Sequence, residues 1–193
     1  MVQVKICGLM APADILAVNE AHADYAGFVF APSRHRISST TADTLKKLLD
    51  PAILTVGVFV DEPVDIMIEL YKTGIIDIAQ LHGKREIDDI TKLQTAGLKV
   101  IQVFEKQSID LHSKADYLMV DSGKGSGKLL NLNEVPHIKR PLILAGGLKP
   151  DNVQQAIRIA QPTIVDVSSG VETKQKKDPK KIMQFVQNAK KGN

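Results

Sequence analysis

Short apolar runs recur along the chain, and longer stretches with the periodicity of amphipathic helices separate them. Several runs are nearly continuous in Val, Ile, Leu and Phe, which is typical of strands covered on both faces. The pattern predicts eight strands: Val2–Cys7, Tyr25–Phe30, Leu54–Val60, Ile75–Leu81, Lys99–Phe104, Tyr117–Asp121, Pro141–Ala145 and Thr163–Val167.

A helical pattern, or a remnant of one, follows each predicted strand. Gly74 and Gly97 come directly after helix ends, and Asp178 precedes Pro179 where the last helix begins, as capping residues do. The predicted helices are Pro12–Ala23, Thr41–Leu49, Val64–Thr73, Arg85–Ala96, Asp151–Ala160 and Pro179–Ala189, with short pieces near Ile109–Ser113 and Asn131–Val135.

Strand and helix in alternation predict an α/β fold with a parallel sheet, and eight units favour closure into a single (β/α)8 TIM barrel. At 193 residues the barrel would be of minimal size with short loops, and it would occupy residues 1–193 as one domain. The alternative is an open doubly wound sheet, which often carries a G-x-G-x-x-G turn after its first strand. The first turn here reads Cys7-Gly8-Leu9-Met10 and does not match.

Composition narrows the class of protein further. One cysteine excludes an intramolecular disulfide and a cysteine-rich zinc site. No apolar run reaches the ~18 residues that span a bilayer, and the first residues read as a strand rather than a signal peptide. We therefore expect a cytoplasmic protein without a membrane partner.

The net charge of +3 comes largely from lysines near the C-terminus, which we predict to form a solvated helix face. Arginines are few and aromatic residues make up 4%, so the pattern gives no indication of a nucleic-acid partner. The lysines in question are Lys174, Lys176, Lys177, Lys180, Lys181, Lys190 and Lys191.

Small residues follow the last two predicted strands, where barrels of this kind bind phosphate. Gly146 and Gly147 follow strand seven, and Ser168, Ser169 and Gly170 follow strand eight. Such residues allow backbone N–H groups to approach phosphate oxygens. The two loops predict a small phosphorylated ligand.

A thiol and a carboxylate end two of the other strands. Alternation puts Lys5 and Cys7 on one face of strand one, so Cys7 would point into the barrel mouth, where a thiol could act as a general base. Asp121 ends strand six and could act as a general acid or base. The plainer interpretations, a buried core cysteine and a capping carboxylate, stay open. The Gly-rich basic loop at 122–128 predicts a mobile lid.

Asp166 is expected to meet Lys5, because the first and last strands of a closed barrel are neighbours. The two side chains would then form a buried ion pair inside the barrel.

Runs of residues along nearly the whole chain resemble the phosphoribosylanthranilate isomerase family, and they occur in that family's order. The runs are Val4-Lys5-Ile6-Cys7-Gly8, Gly27 to Phe30 with Ser33 to Ser38, Val56 to Val60, Gln80 to Gly83, Gly125 to Lys128, Ala145 to Leu148 with Pro150 to Val153, and Val165 to Glu172.

The resemblance implies a (β/α)8 barrel that carries out an Amadori rearrangement of N-(5-phosphoribosyl)anthranilate without a metal or cofactor. It implies that Asp121 is the general acid, that Cys7 is the general base and that Arg36 binds the anthranilate carboxylate. It further assigns Gln80, His82 and Asp166 to the pocket wall, and Gly147, Ser168, Ser169 and Gly170 to the phosphate.

The chain departs from the family at two places. Leu129 to Leu132 replace an aromatic-Asp-Trp stretch, and Gln102 stands where a lysine is expected beside the pocket. Another sugar-phosphate isomerase or epimerase, and a barrel that binds a phosphorylated ligand without turnover, remain as alternatives. The sequence is compatible with a monomer or a homodimer.

Overall fold

The computed structural model is a closed barrel of eight parallel strands, in which each strand pairs with the next and β8 pairs with β1. It describes residues 1–83, 85–105, 108–121 and 138–191. The barrel strands are β1 (Gln3–Cys7), β2 (Tyr25–Val29), β3 (Leu54–Phe59), β4 (Ile78–Leu81), β5 (Lys99–Glu105), β6 (Tyr117–Asp121), β7 (Leu142–Leu144) and β8 (Ile164–Val167). The predicted (β/α)8 barrel is confirmed.

Helices cover the outside of the barrel, and a small antiparallel hairpin precedes the last of them. The helices are α1 (Pro12–Ala21), α2 (Ser39–Lys46), α3 (Val64–Lys72), α4 (Ile87–Thr95), α5 (Val153–Ala160) and α6 (Pro179–Lys191), and the hairpin strands are β9 (Glu172–Thr173) and β10 (Lys176–Lys177). Helix α6 packs against α1 and α5 and so covers the junction of β8 with β1. None of the described helices is long and apolar enough to cross a bilayer.

Alternation along the strands divides the core into two layers. Val4 and Ile6 of β1 face outward into the layer between the strands and the helices. Lys5 and Cys7 therefore face inward. The inner layer is a separate cluster of Tyr25, Val56, Ile78, Ile101, Met119, Ile143, Ala145 and Ile164, contributed by seven of the eight strands or their ends.

Strand β4 begins at Ile78, three residues later than predicted. The N–H groups of Ile75 and Ile76 both donate to the Leu70 carbonyl, at 2.9 and 3.3 Å, and close the end of α3. Gly74 permits this turn with a φ of +74°. The apolar pair thus belongs to a helix cap, although its composition favours a strand.

The predicted helix near Ile109–Ser113 is wrong, because residues 108–116 contain no α-helix. The Asp110 carboxylate accepts from the His112 N–H at 2.8 Å, which favours a turn over a helix. Gln102, expected beside the pocket, lies on the outward face of β5, and its Oε1 accepts from Ser113 Oγ at 2.5 Å. The predicted helix Asn131–Val135, the predicted lid at 122–128 and Leu129 to Leu132 lie outside the described residues.

Candidate active site

A cavity of about 80 Å³ opens at the carboxyl ends of β6, β7 and β8. Whole small-molecule sites usually measure ~300–1,000 Å³, so this cavity has room for only one end of a ligand. It brings together seven of the residues selected from the sequence. Its lining is Asp121, Ala145, Gly146, Gly147, Leu148, Asp166, Val167, Ser168, Ser169 and Gly170.

The loop after β7 has a backbone conformation that requires glycine. Gly146 and Gly147 have φ values of +89° and +67°, in the left-handed region. Asn152 fixes the loop from below: its Nδ2 donates to the Gly147 carbonyl at 3.0 Å, and its Oδ1 accepts from the Lys149 N–H at 2.7 Å. Sequence reasoning did not select Asn152, although an asparagine that ends such a loop is a known signal for a side-chain-stabilised turn.

The loop after β8 packs against the loop after β7 with no room for a side chain. A Cβ on Gly170 would lie 1.8 Å from the Leu148 carbonyl oxygen. Residues Ser169–Val171 form a single 3-10 turn at this contact. The two small-residue loops are therefore held as one backbone surface, as a phosphate site requires.

Glu172 directly follows this loop, and its carboxylate accepts hydrogen bonds from three side chains. Its carboxylate accepts from Arg34 at 2.6 Å, from His35 Nε2 at 2.8 Å and from Lys177 at 2.8 Å. Although burial by itself would raise the pKa of Glu172, the bonds from Lys177 and Arg34 lower that pKa to about 2. Because the carboxylate is ionised, His35 donates through Nε2. Burial lowers the pKa of His35, so the ring is neutral near pH 7.

Lys177 corrects the prediction that the C-terminal lysines form a solvated face. Its side chain is only 2% exposed, and its ammonium also donates to the Ser168 carbonyl at 3.1 Å and lies 3.3 Å from Ser168 Oγ. Lys181 likewise donates to the Glu172 carbonyl at 2.7 Å. Composition alone could not separate Lys177 from exposed lysines, because the β9–β10 hairpin that contains it has no clear sequence signal.

Cys7 ends β1 on the inward face, among Val29, Ala31 and Val58. Its sulfur packs directly on β2, since a Cβ on Gly27 would lie 2.9 Å from Cys7 Sγ. The next residue, Gly8, is covered in the same way by the His35 ring, which a Cβ would meet at 2.9 Å. Burial raises the pKa of the Cys7 thiol, and the nearby Lys5 ammonium opposes that rise.

The predicted ion pair between Lys5 and Asp166 is present. The two residues are directly paired in the β1–β8 register, and Lys5 Nζ donates to Asp166 Oδ1 at 2.8 Å. Lys5 is 1% exposed and Asp166 7%. Asp166 shares its strand face with Ile164 of the inner core, so the pair lies inside the barrel.

Gln80 and His82 occupy the inward side at the end of β4. Gln80 Nε2 lies 2.9 Å from His82 Nε2. Among the described residues, Gln80 Oε1 has no hydrogen-bond partner although it is buried. Burial lowers the pKa of His82, and the charges of Asp121, Lys5 and Asp166 also act on it. Because its pKa is lowered, His82 is neutral near pH 7.

Asp121 ends β6 and faces inward, because Met119 two residues earlier lies in the inner core. Cys7 and Asp121 therefore face into the same end of the barrel, three strands apart around the ring. Arg36 is exposed at the rim and lines a different depression, together with Ile37, Ser38 and residues of α3. The structure brings Asp121 and the two loops predicted to bind phosphate to one cavity and leaves Arg36 outside it.

Fold and site together define a (β/α)8-barrel enzyme with a phosphate-type loop pair at the carboxyl ends of its last strands. A family model described as N-(5'phosphoribosyl)anthranilate (PRA) isomerase matches residues 4–188. The chain belongs to this family.

Relatives and solved structures agree with this assignment. The chain is 68% identical to the N-(5'-phosphoribosyl)anthranilate isomerase of Lacticaseibacillus casei strain BL23 over 190 residues, which cover 98% of this chain and 96% of that relative. The crystal structure of TrpF from Jonesia denitrificans superposes with a TM-score of 0.89 at 33% identity, covering 98% of this chain and 97% of that one. A phosphoribosyl anthranilate isomerase in complex with reduced 1-(o-carboxyphenylamino)-1-deoxyribulose 5-phosphate has a TM-score of 0.85 at 32% identity, covering 99% and 100%.

Proposed function

We propose that this protein converts N-(5-phosphoribosyl)anthranilate to 1-(2-carboxyphenylamino)-1-deoxyribulose 5-phosphate, a step of tryptophan biosynthesis. The observation that carries the proposal is the family match over residues 4–188, joined to a barrel mouth that holds a thiol, a carboxylate and the small-residue loops. Residues 1–193 would act as one domain, as a monomer or a homodimer.

Asp121 is the proposed general acid. It donates a proton to the ring oxygen of the ribose, and the C1–O bond breaks as the nitrogen lone pair forms a protonated Schiff base. The position of Asp121 supports this role, because it lines the same cavity as the loops proposed to hold the phosphate. A phosphate bound there would anchor the sugar next to the carboxylate.

Cys7 is the proposed general base. As thiolate it removes the proton from C2 of the opened sugar, the C2–H electrons neutralise the Schiff base, and the enolamine that forms tautomerises to the ketone. The inward position of Cys7 at the end of β1 supports this role, since it faces the same end of the barrel as Asp121. No electron leaves the substrate, so the reaction is an internal redistribution of protons and electrons.

The remaining pocket residues orient the substrate in this proposal. Gly146, Gly147, Ser168, Ser169 and Gly170 bind the phosphate, and Arg36 binds the anthranilate carboxylate with its planar guanidinium. Gln80 and His82 form the wall. Gln80 Oε1, buried without a partner among the described residues, supports binding to a substrate hydroxyl or N–H, because buried polar atoms are rarely left unpaired.

The decisive experiment follows the loss of phosphoribosylanthranilate fluorescence on addition of the purified protein. Cys7→Ala and Asp121→Asn are each expected to lower kcat by ~10²–10⁴-fold with little change in KM. Asp65→Asn, on the exposed side of α3, is the matched control and should leave kcat unchanged. Normal turnover by Cys7→Ala and Cys7→Ser would show that the base is misassigned, and binding without turnover by the wild type would reject catalysis.

A further inference from the structure

A buried cation lies next to the thiol in the barrel mouth, and the proposed reaction assigns no proton transfer to it. Lys5 precedes Cys7 by two residues on the inward face of β1, so the two side chains are neighbours in successive inner layers. The Lys5 ammonium donates to Asp166 Oδ1 at 2.8 Å, and both residues are buried. Desolvation offsets most of the attraction in such a pair, so stability alone gives a weak reason for it.

We propose that the Lys5–Asp166 ion pair sets the charge state of Cys7. The Lys5 ammonium stabilises the thiolate, and Asp166 fixes the position of that ammonium through its hydrogen bond while its own charge opposes the thiolate. The inference rests on the proposed role of Cys7 as general base. Lys5 and Asp166 are then positioning residues for the base, in addition to the place of Asp166 in the cavity wall.

The surroundings of Cys7 give the thiolate little other support. The side chains around it, Val29, Ala31 and Val58, are apolar, and Gly27 offers only backbone. Burial accordingly raises the pKa of the thiol. A base that must remove a proton near pH 7 therefore needs a fixed positive charge nearby.

Among the described residues, the charges with the largest effect on Cys7 are those of Lys5 from β1, Asp166 from β8 and Lys177 from β10. The Lys177 ammonium is already hydrogen-bonded to Glu172 and Ser168, and the Glu172 carboxylate offsets its charge. Among the nearby rings, His35 covers Gly8, and burial lowers the pKa of both His35 and His82, so neither adds a positive charge near pH 7. Lys5 is the cation with the larger effect on the thiol.

Lys5 remains an ammonium despite its burial. Burial alone would lower its pKa, but the Asp166 carboxylate and the Cys7 sulfur outweigh this and raise the pKa of Lys5 above its ordinary value. The charge of the ammonium beside the thiol is therefore stabilised by its two acidic neighbours despite its burial. Asp166 has the larger part in raising the pKa of Lys5, and the Cys7 sulfur also contributes.

The test is a pH titration of Cys7 itself. The chain has a single cysteine, so a ¹³C label at the cysteine β-carbon gives one NMR signal whose shift follows thiol ionisation. Lys5→Met is expected to raise the titration midpoint by about one pH unit or more, which is tenfold less thiolate at a given pH. Asp166→Asn should lower the midpoint, because the amide oxygen can still accept from Lys5 while the carboxylate charge that opposes the thiolate is gone. A purely structural role would not move the two midpoints in opposite directions.

A double variant keeps the test decisive if Lys5→Met fails to fold, since that change leaves the Asp166 carboxylate buried without its partner. Lys5→Met with Asp166→Leu removes both charges. Its midpoint should still lie above that of the wild type, because Lys5 acts on the thiol more strongly than Asp166 does. An unchanged or lower midpoint in the double variant, or shifts of the two single variants in the same direction, would overturn the proposal.

A second ion pair at the opposite end of the barrel is the control. Lys46 lies 2.9 Å from Asp77, and Lys46→Met should leave the Cys7 midpoint where it is. The titration is also independent of turnover. If Cys7→Ser is fully active, the base assignment fails, yet the NMR midpoints still measure the effect of Lys5 on the thiol.

Discussion

The Glu172 carboxylate lies 2.8 Å from the Lys177 ammonium, and both side chains are almost completely buried beside the proposed phosphate loop. Lys177 continues from this pair to the Ser168 carbonyl, while Arg34 and His35 reach Glu172 from the loop after β2. One carboxylate thus connects the loop after β8 with the loop that leads to Arg36. Glu172 therefore links the two loops that carry the two proposed ends of the substrate site.

Acid stability should depend on this carboxylate. The pKa of Glu172 is about 2 in the folded protein against 4.5 ordinarily, so its stabilising contribution is complete above about pH 4.5 and is lost as the pH falls toward 2. Glu172→Gln removes that contribution at every pH. Urea unfolding between pH 2 and 7 should show a difference between wild type and variant that is large at pH 6 and shrinks below pH 4.5.

The control for this series is Glu20→Gln, since Glu20 is an exposed residue of α1. Its unfolding curve should run parallel to that of the wild type. Asp77 and Asp178 also have lowered pKa values in the folded state, so only the difference between wild type and Glu172→Gln reports on Glu172. A difference that stays constant from pH 6 to pH 2 would contradict the assignment.

Gly170→Ala should damage the phosphate loop through steric overlap. The added Cβ would lie 1.8 Å from the Leu148 carbonyl oxygen, and backbone on both sides must move to relieve it. We expect a loss of about 2 kcal/mol or more in the free energy of unfolding, at the upper end of overpacking effects. The KM for the phosphorylated substrate should also rise, because the two loops separate.

Gly74→Ala is the control for Gly170→Ala, because it introduces backbone strain without steric overlap. Gly74 has a φ of +74°, but a Cβ there would meet nothing within 4 Å. This variant should lose only the ~1–2 kcal/mol of left-handed backbone strain, with KM unchanged. Equal KM values for Gly170→Ala and the wild type would argue that the loop contact has no part in ligand binding.

The barrel was predictable from sequence because the same pattern, an apolar run followed by a helical segment, is repeated along the chain. Eight apolar runs with helical segments between them leave few other arrangements, and a one-residue slip in β1 would have moved Lys5 and Cys7 out of the interior. The Lys5–Asp166 contact followed from closure alone, since the β1–β8 register pairs the two residues. The exact ends of the elements were harder to predict. Ile75 and Ile76 have the composition of a strand, but their N–H groups cap α3 and do not extend β4.

The long-range polar contacts could not be predicted from the pattern. Lys177 lies among exposed lysines in the sequence, and only the β9–β10 hairpin turns it toward Glu172 and Ser168. Asn152 was likewise missed, because its bonds to Gly147 and Lys149 depend on the conformation of the loop after β7. Both residues hold the loops of the site in place through polar contacts, and hydrophobic periodicity does not predict such contacts.

His82 should remain neutral at physiological pH. Burial lowers its pKa below 6.5, so the folded protein binds a proton there less readily than the unfolded chain does. The contribution to stability is complete above about pH 6.5 and decreases as the pH falls. Two-dimensional NMR of the histidine rings should show His82 titrating with a midpoint below the 6.5 of an ordinary histidine side chain.

Gln80→Leu tests whether the hydrogen bond from Gln80 keeps the His82 ring neutral. In the wild type the Gln80 amide nitrogen donates to His82 Nε2 at 2.9 Å, which favours the neutral ring. Removal of that donor should raise the titration midpoint of His82. A midpoint for His82 at or above 6.5 in the wild type would contradict the burial argument.

Arg36 should act on substrate affinity more than on turnover. It is exposed at the rim, outside the cavity that contains Asp121, and the proposed function places it against the anthranilate carboxylate. Arg36→Ala should raise KM by about tenfold or more, the effect of losing a charge-assisted hydrogen-bond pair of ~1.5–3 kcal/mol, with a smaller change in kcat. Arg36→Lys keeps the charge but not the planar two-pronged donor, so it should restore only part of the affinity.

Arg158 supplies the control for the loss of an arginine. It is an exposed residue of α5 near Val2 and Thr163, at the opposite end of the barrel. Arg158→Ala should leave both KM and kcat unchanged, which separates a local contact at Arg36 from a general effect of net charge on an anionic substrate. Should Arg36→Ala lower kcat while KM stays constant, Arg36 would act in the chemical step instead of in binding. Full recovery by Arg36→Lys would show that the site requires a positive charge there and not a guanidinium.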